Sequence, residues 1–216
     1  MSPAQFAARL AIPVICVCGL LLPPMSRAEG VQYLVKPIAE MTVKQLPKGP
    51  LYWRVENFPT LDQAKAAAGE YRWNPNTVTY EGWPSLTAEV AGKVWLFTLG
   101  PQGAATPGGT KVAEIGPVPS VSAPEYLLRV NYGSGPPGAK TPVHMHFGSE
   151  GFYVLTGKLG QRTPHGTSYV EAGHTMNGHM AEMPMQVFNG GTSDLTALIM
   201  FVVDATKPFS SPATLP

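Results

Sequence analysis

Apolar and polar residues alternate in short stretches along the chain, and each stretch is closed by Gly, Pro, Asn or Asp. Residues 51–55, 95–99 and 111–115 read as strands. From Glu125 the pattern tightens, with strand-like stretches at 126–132, 143–146, 152–155, 167–170, 185–188 and 195–203. Short strands at regular spacing between turn formers predict an all-β sandwich or barrel. One helix interrupts the pattern. Thr60 with Gln63 three residues on forms a capping box, residues 61–68 make the helix, and Gly69 stops it. Residues 29 to about 50, with Pro37, Pro47 and Pro50, read as an extended arm, and residues 206–216 as a loose, Pro-rich tail.

Composition sharpens this picture. Gly and Pro number 23 each among 216 residues, which leaves little room for long helices. Charged residues are only 13%, which argues against a coiled coil or a charged tail. The formal net charge is +1 with no basic run, so nothing electrostatic favours a nucleic acid or an anionic membrane as partner.

The first segment reads as an address. Arg9 is followed by an apolar run over residues 10–22, and Ser26-Arg27-Ala28 offers small residues to a signal peptidase. The run is short for a membrane span, which needs about 20 residues. Cleavage after Ala28 is expected, with a periplasmic or secreted destination and no membrane association afterwards. Both cysteines, Cys16 and Cys18, lie inside the segment, so the mature chain has no thiol. The divisions are therefore 1–28 as signal peptide, 29–123 as an N-terminal extension packed on or completing a barrel, 124–205 as barrel core, and 206–216 as tail.

All five histidines fall between His144 and His179. His144 and His146 stand two apart, so a strand would turn both to one face. Glu150 follows four residues on. Two imidazoles and a carboxylate on a β-scaffold suit one divalent transition metal (Fe, Mn, Ni, Zn or Cu) and leave positions open for substrate or oxygen.

Gly138, His144, His146, Glu150 and Gly157 also satisfy every step of the first motif of the cupin superfamily: Gly, five residues, His-x-His, three or four residues, Glu, six residues, Gly. The chain resembles that superfamily over about residues 124–204. The resemblance implies a cupin-type (jelly-roll) β-barrel, here with an N-terminal extension carrying the short helix. It implies that His144, His146 and Glu150 are metal ligands, with Glu150 also the candidate catalytic group, and that Gly157 makes the hairpin turn. The second motif departs from the family. Pro184 and Asn189 fit, but Met180, Glu182 and Met185 stand where the family has Pro, Gly and the fourth ligand, His.

Three readings of Met185 stay open: an apolar wall beside a three-ligand metal, a thioether ligand to copper, or a barrel that holds no ion. Met176, Met180, Met183 and Met185 beside His174 and His179 resemble copper-handling segments, although methionine also fills cores. His165 reads as a turn residue. His174 and His179 could line the barrel mouth, and His179 is the imidazole nearest to replacing the missing ligand. The four tryptophans read as core.

The function expected on these grounds is an exported metal-binding cupin, a dioxygenase-like oxidoreductase acting on a small organic molecule. The alternative is a non-catalytic periplasmic cupin that binds copper or a small ligand. The low charge density is compatible with a homodimer.

Overall fold

The computed structural model describes residues 31–216; the expected signal peptide lies outside the described residues. In chain order the first part holds β1 (Leu34–Val43), β2 (Tyr52–Phe58), α1 (Leu61–Ala68), β3 (Arg72–Asn74), β4 (Thr79–Glu81), β5 (Ser85–Val90), β6 (Lys93–Gly100) and β7 (Thr110–Ile115). The second part holds β8 (Tyr126–Gly135), β9 (His144–Met145), β10 (Gly148–Thr156), β11 (Lys158–Thr163), β12 (Gly166–Glu171), β13 (Thr175–Asn177), β14 (Gln186–Asn189), β15 (Leu195–Asp204) and β16 (Ser211–Pro212).

The strands form three layers. The middle sheet runs β1-β8-β15-β10-β13, a second runs β12-β11-β14, and a third runs β5-β6-β2-β7. All their pairings are antiparallel. Phe152, Val154, Leu159, Val170, Val187, Ile199 and Phe201 fill the space enclosed by the first two sheets. The opposite face of the middle sheet presents Leu128, Val130, Tyr153, Leu198, Met200 and Val202 to Trp53, Val55, Trp95, Phe97 and Leu99 of the third. The result is an all-β fold in which two sheets enclose a barrel-like interior and an extra sheet is laid on the outer face.

Two cores account for one strand's sequence. β15 is almost continuously apolar because both of its faces are covered. Its residues 197, 199, 201 and 203 face the barrel interior, and 198, 200 and 202 face the added sheet. β10 divides in the same way, which sends Glu150 inward with Phe152 and Val154. Gly157 (φ 75°) makes the turn from β10 to β11, and an added Cβ there would lie 2.7 Å from the Asp194 carbonyl oxygen.

The helix has its expected cap: Gln63 N donates to Thr60 Oγ1 at 3.2 Å, and Gly69 leaves it at φ 63°. Three expectations need correction. The extended arm contains a ten-residue strand, β1, which joins the middle sheet along β8 through a register shift between Pro37 and Ala39. Residues 206–216 are not a loose tail, because Phe209 packs on His146 and Phe201, and β16 pairs with β9. Trp53 and Trp95 are core residues, but Trp73 and Trp83 stand exposed. No helix among the described residues is long and apolar enough to cross a membrane.

Candidate metal centre

His144 is fixed by the chain it pairs with. Its N–H donates to the Met185 carbonyl at 2.9 Å, and the Met185 N–H returns a bond to the His144 carbonyl at 2.8 Å. The His144 and His146 rings stand 4.9 Å apart between centroids, at 85° to one another. His144 Nδ1 lies 2.9 Å from the Pro142 carbonyl oxygen, and His146 Nδ1 lies 2.6 Å from that of Phe209. A carbonyl oxygen can only accept, so each neutral ring carries its proton on Nδ1. Each Nε2 then keeps its lone pair for a ligand, the arrangement common to metal-binding histidines.

His146 is buried against the rings of Phe201 and Phe209, each 4.9 Å away. Burial lowers its pKa to about 4; the bond to the Phe209 carbonyl works the other way, and His144 and Arg129 lower it further. The ring is therefore neutral near pH 7.

Glu150 is buried on the inward face of β10 and accepts a short hydrogen bond from Gln161 Nε2. Burial pushes its pKa up to about 8, against the smaller opposing effect of that bond. Gly178 makes room for it. The Gly178 N–H donates to the Glu150 carbonyl at 2.9 Å, and an added Cβ would overlap the Glu150 carbonyl and Cγ. His144, His146 and Glu150 line one open cleft of about 590 Å³ with Tyr33, Asn131 and Phe209.

As placed, no three His, Cys, Asp or Glu residues among those described are gathered around one point. The two imidazoles stand together, while the Glu150 carboxyl is drawn to Gln161. The donor chemistry nonetheless suits a cation. Two imidazoles present free lone pairs, and a carboxyl is held neutral by burial, a state that a bound divalent ion reverses.

Met185 is buried, and its sulfur accepts from the same Gln161 Nε2 at 3.4 Å. It is not among the residues that line the cleft, and it shares Gln161 with Glu150. Glu182, in the place of the family's glycine, has φ 63°. That left-handed backbone is the one glycine adopts freely and other residues adopt at a cost, and the Glu182 N–H donates to the His146 carbonyl at 2.7 Å. Asn189 is buried and fully used. It donates to the carbonyls of Gly135 and Ser193 and accepts from the Gly191 N–H.

The remaining histidines lie apart from this cleft. His165 and His174 are exposed. His179 is half-buried, and burial, together with nearby His165, lowers its pKa. Met180 is exposed, and Met176 packs on the barrel interior.

The sequence pattern did not single out Gln161, Phe209, Tyr33 or Asn131. For Gln161 a signal existed, since it falls between Leu159 and Thr163 on the inward face of β11. Phe209 was the lone aromatic in a polar tail.

No protein-family model matches the chain, and no curated protein matches it. Among solved structures it is similar to a DMSP lyase, with 22% identity over 40% of this chain and 44% of that one and a TM-score of 0.35. It is also similar to the polyketide cyclase RemF from Streptomyces resistomycificus, with 21% identity over 41% of this chain and 62% of that one, TM-score 0.35. A protein of the cupin superfamily from Desulfitobacterium hafniense has 13% identity over 36% of this chain and 68% of that one, TM-score 0.32. The matches span less than two thirds of the lyase and of the cyclase.

Proposed function

We propose that this cupin-type barrel is an exported metalloenzyme, holding one divalent transition metal at His144, His146 and Glu150 and acting as an oxidoreductase on a small organic molecule. One observation carries the reading. Two imidazoles stand side by side in an open cleft, each with Nδ1 tied to a backbone carbonyl, and a buried carboxyl lines the same cleft.

The metal, when bound, supplies Lewis-acid or one-electron chemistry and open positions for substrate. The protein does the rest. Pro142 and Phe209 orient the two rings through their carbonyls. Glu150 would complete the donor set in place of its bond from Gln161, and its carboxyl would hold or move a proton. Phe201 and Phe209 exclude water from one side of His146. Met185 stays outside the donor set, because it is buried and its sulfur is already bonded to Gln161.

Elemental analysis of the purified protein tests this. About one equivalent of a divalent transition metal is expected, lost in His144→Ala and His146→Ala and kept in Met185→Ala. Copper that disappears with Met185→Ala supports a copper-binding protein in place of the enzyme. A wild-type protein that takes up none of Fe, Mn, Ni, Zn or Cu overturns both.

A further inference from the structure

Two side chains lining the cleft have no role in holding a metal. Tyr33 and Asn131 are 2% and 1% exposed, yet neither the Tyr33 hydroxyl nor Asn131 Oδ1 has a hydrogen-bond partner in the protein. One can donate and the other can accept, and they do not pair with each other. Buried polar groups are ordinarily partnered, so each such exception calls for a ligand or another explanation.

The chain makes room for this pair. Tyr33 lies across β8, where two glycines sit beneath its ring. An added Cβ at Gly133 would come within 2.8 Å of Tyr33 Cζ, and one at Gly135 within 3.0 Å of its Cδ2. Gly133 and Gly135 alternate with Asn131 on the inward face of the same strand. Burial, with Tyr132 and Glu150 nearby, raises the Tyr33 pKa, so its hydroxyl stays a donor at neutral pH.

The Arg129 charge at the cleft is already matched. Arg129 donates through Nε and a terminal nitrogen to Glu40 at 2.8 and 2.7 Å and lies over the Phe209 ring at 4.2 Å. A ligand therefore does not need a net charge to enter.

We infer that Tyr33 and Asn131 select a small molecule carrying a hydroxyl next to a carbonyl oxygen, with Tyr33 O–H donating to the carbonyl oxygen and Asn131 Oδ1 accepting from the hydroxyl. This deepens the proposed function and rests on it only in taking the cleft as the substrate site. A neutral hydroxy-ketone and a hydroxy-acid share this chemistry, and the test separates them.

The full chain is titrated calorimetrically with dihydroxyacetone against acetone, and with L-lactate against propionate. At least one hydroxylated probe is expected to bind about tenfold or more tightly than its partner without the hydroxyl, in line with sites that leave polar groups unpaired when the hydroxyl is missing. Tyr33→Phe and Asn131→Leu are each expected to remove that preference, with Tm unchanged or raised, since each deletes an unpartnered polar group.

Equal binding of both members of each pair overturns the inference, as does a preference that survives both variants. A fall in Tm on Tyr33→Phe also overturns it, because the hydroxyl is then a structural group. Metal content measured on the same samples separates the two proposals. Metal bound without the preference removes this inference alone, and the preference without metal removes the metalloenzyme reading alone.

Discussion

Among the described residues, one buried polar cluster lies on the added sheet and another in the barrel, and they are finished to different degrees. On the added sheet, Glu56 is wholly buried and accepts from the Thr106 N–H at 2.8 Å and its hydroxyl at 2.6 Å. Arg54 Nε lies 3.0 Å from the Glu56 carboxylate, and its guanidinium also donates to the Thr106 hydroxyl at 2.9 Å. Only Arg54 Nε lacks a well-aligned acceptor, although its charge is paired. In the barrel, Tyr33, Asn131 and Gln161 each keep a polar atom unpartnered, and Glu150 has burial pushing it toward neutrality. The first cluster is a closed clasp that ties Thr106 across the sheet. The second is open toward a cleft. The lesson is that burial alone does not mark a functional site, whereas burial with unmet bonding capacity does.

The comparison can be broken most forcefully at the clasp. Glu56→Ala leaves the Arg54 guanidinium buried without its counter-charge and should cost about 3–5 kcal/mol of unfolding free energy. Denaturant titration measures this. A loss below about 1 kcal/mol would be that of a solvated surface pair and would end the description of the cluster as closed.

A smaller effect is expected at the open cluster. Gly178→Ala forces a methyl against the Glu150 backbone and Cγ, and overpacking of this kind costs about 1–3 kcal/mol. Metal uptake should fall with it, because Glu150 is displaced. Unchanged thermal stability and metal content would mean that Glu150 does not need the space Gly178 provides.

The finest test is the pH dependence of the chelator-treated protein. Glu150 has its folded pKa raised to about 8, so its contribution is fully present below its ordinary value near 4.5 and is lost as pH rises toward 8. His146 has its folded pKa lowered to about 4, so its contribution is present above about 6.5 and is lost as pH falls toward 4. The two slopes oppose one another between about 4.5 and 6.5, and from about 6.5 to 8 only the Glu150 slope remains. Glu150→Gln should flatten the decline between about pH 6.5 and 8 and steepen the fall in stability below about 6.5, where the His146 slope is no longer opposed. A wild-type profile already flat across that interval would show that Glu150 is not held neutral.

How much of this was legible in the sequence depended on how local the signal was. His144, His146, Glu150 and Gly157 announce themselves because their spacing follows from one strand, a turn and the next strand. The helix over 61–68 was readable for the same reason, since its cap and stop lie beside it. Strands β3, β4, β13 and β16 escaped notice because they are short, and β5 and β11 because they carry small or polar residues, such as Ser85 and Ala88 in β5 and Gly160 and Gln161 in β11.

The finer features of the site were hidden because they join distant parts of the chain. Tyr33 and Phe209 reach the cleft from opposite ends of the described residues, and no spacing rule relates them to His146. The departures in the second motif were visible, but their outcome was not. Glu182 takes up a left-handed backbone, and Met185 bridges His144 while its sulfur accepts from Gln161.

β15 has one further consequence. Because its side chains serve as a party wall between two interiors, neither half can be lifted away intact. An excised barrel would lay Leu198, Met200 and Val202 bare beside Leu128 and Val130, an adhesive stripe that would drive self-association. The added sheet is thus a permanent cover, and a substitution at Met200 would be felt one residue on, at the phenyl ring that seats His146.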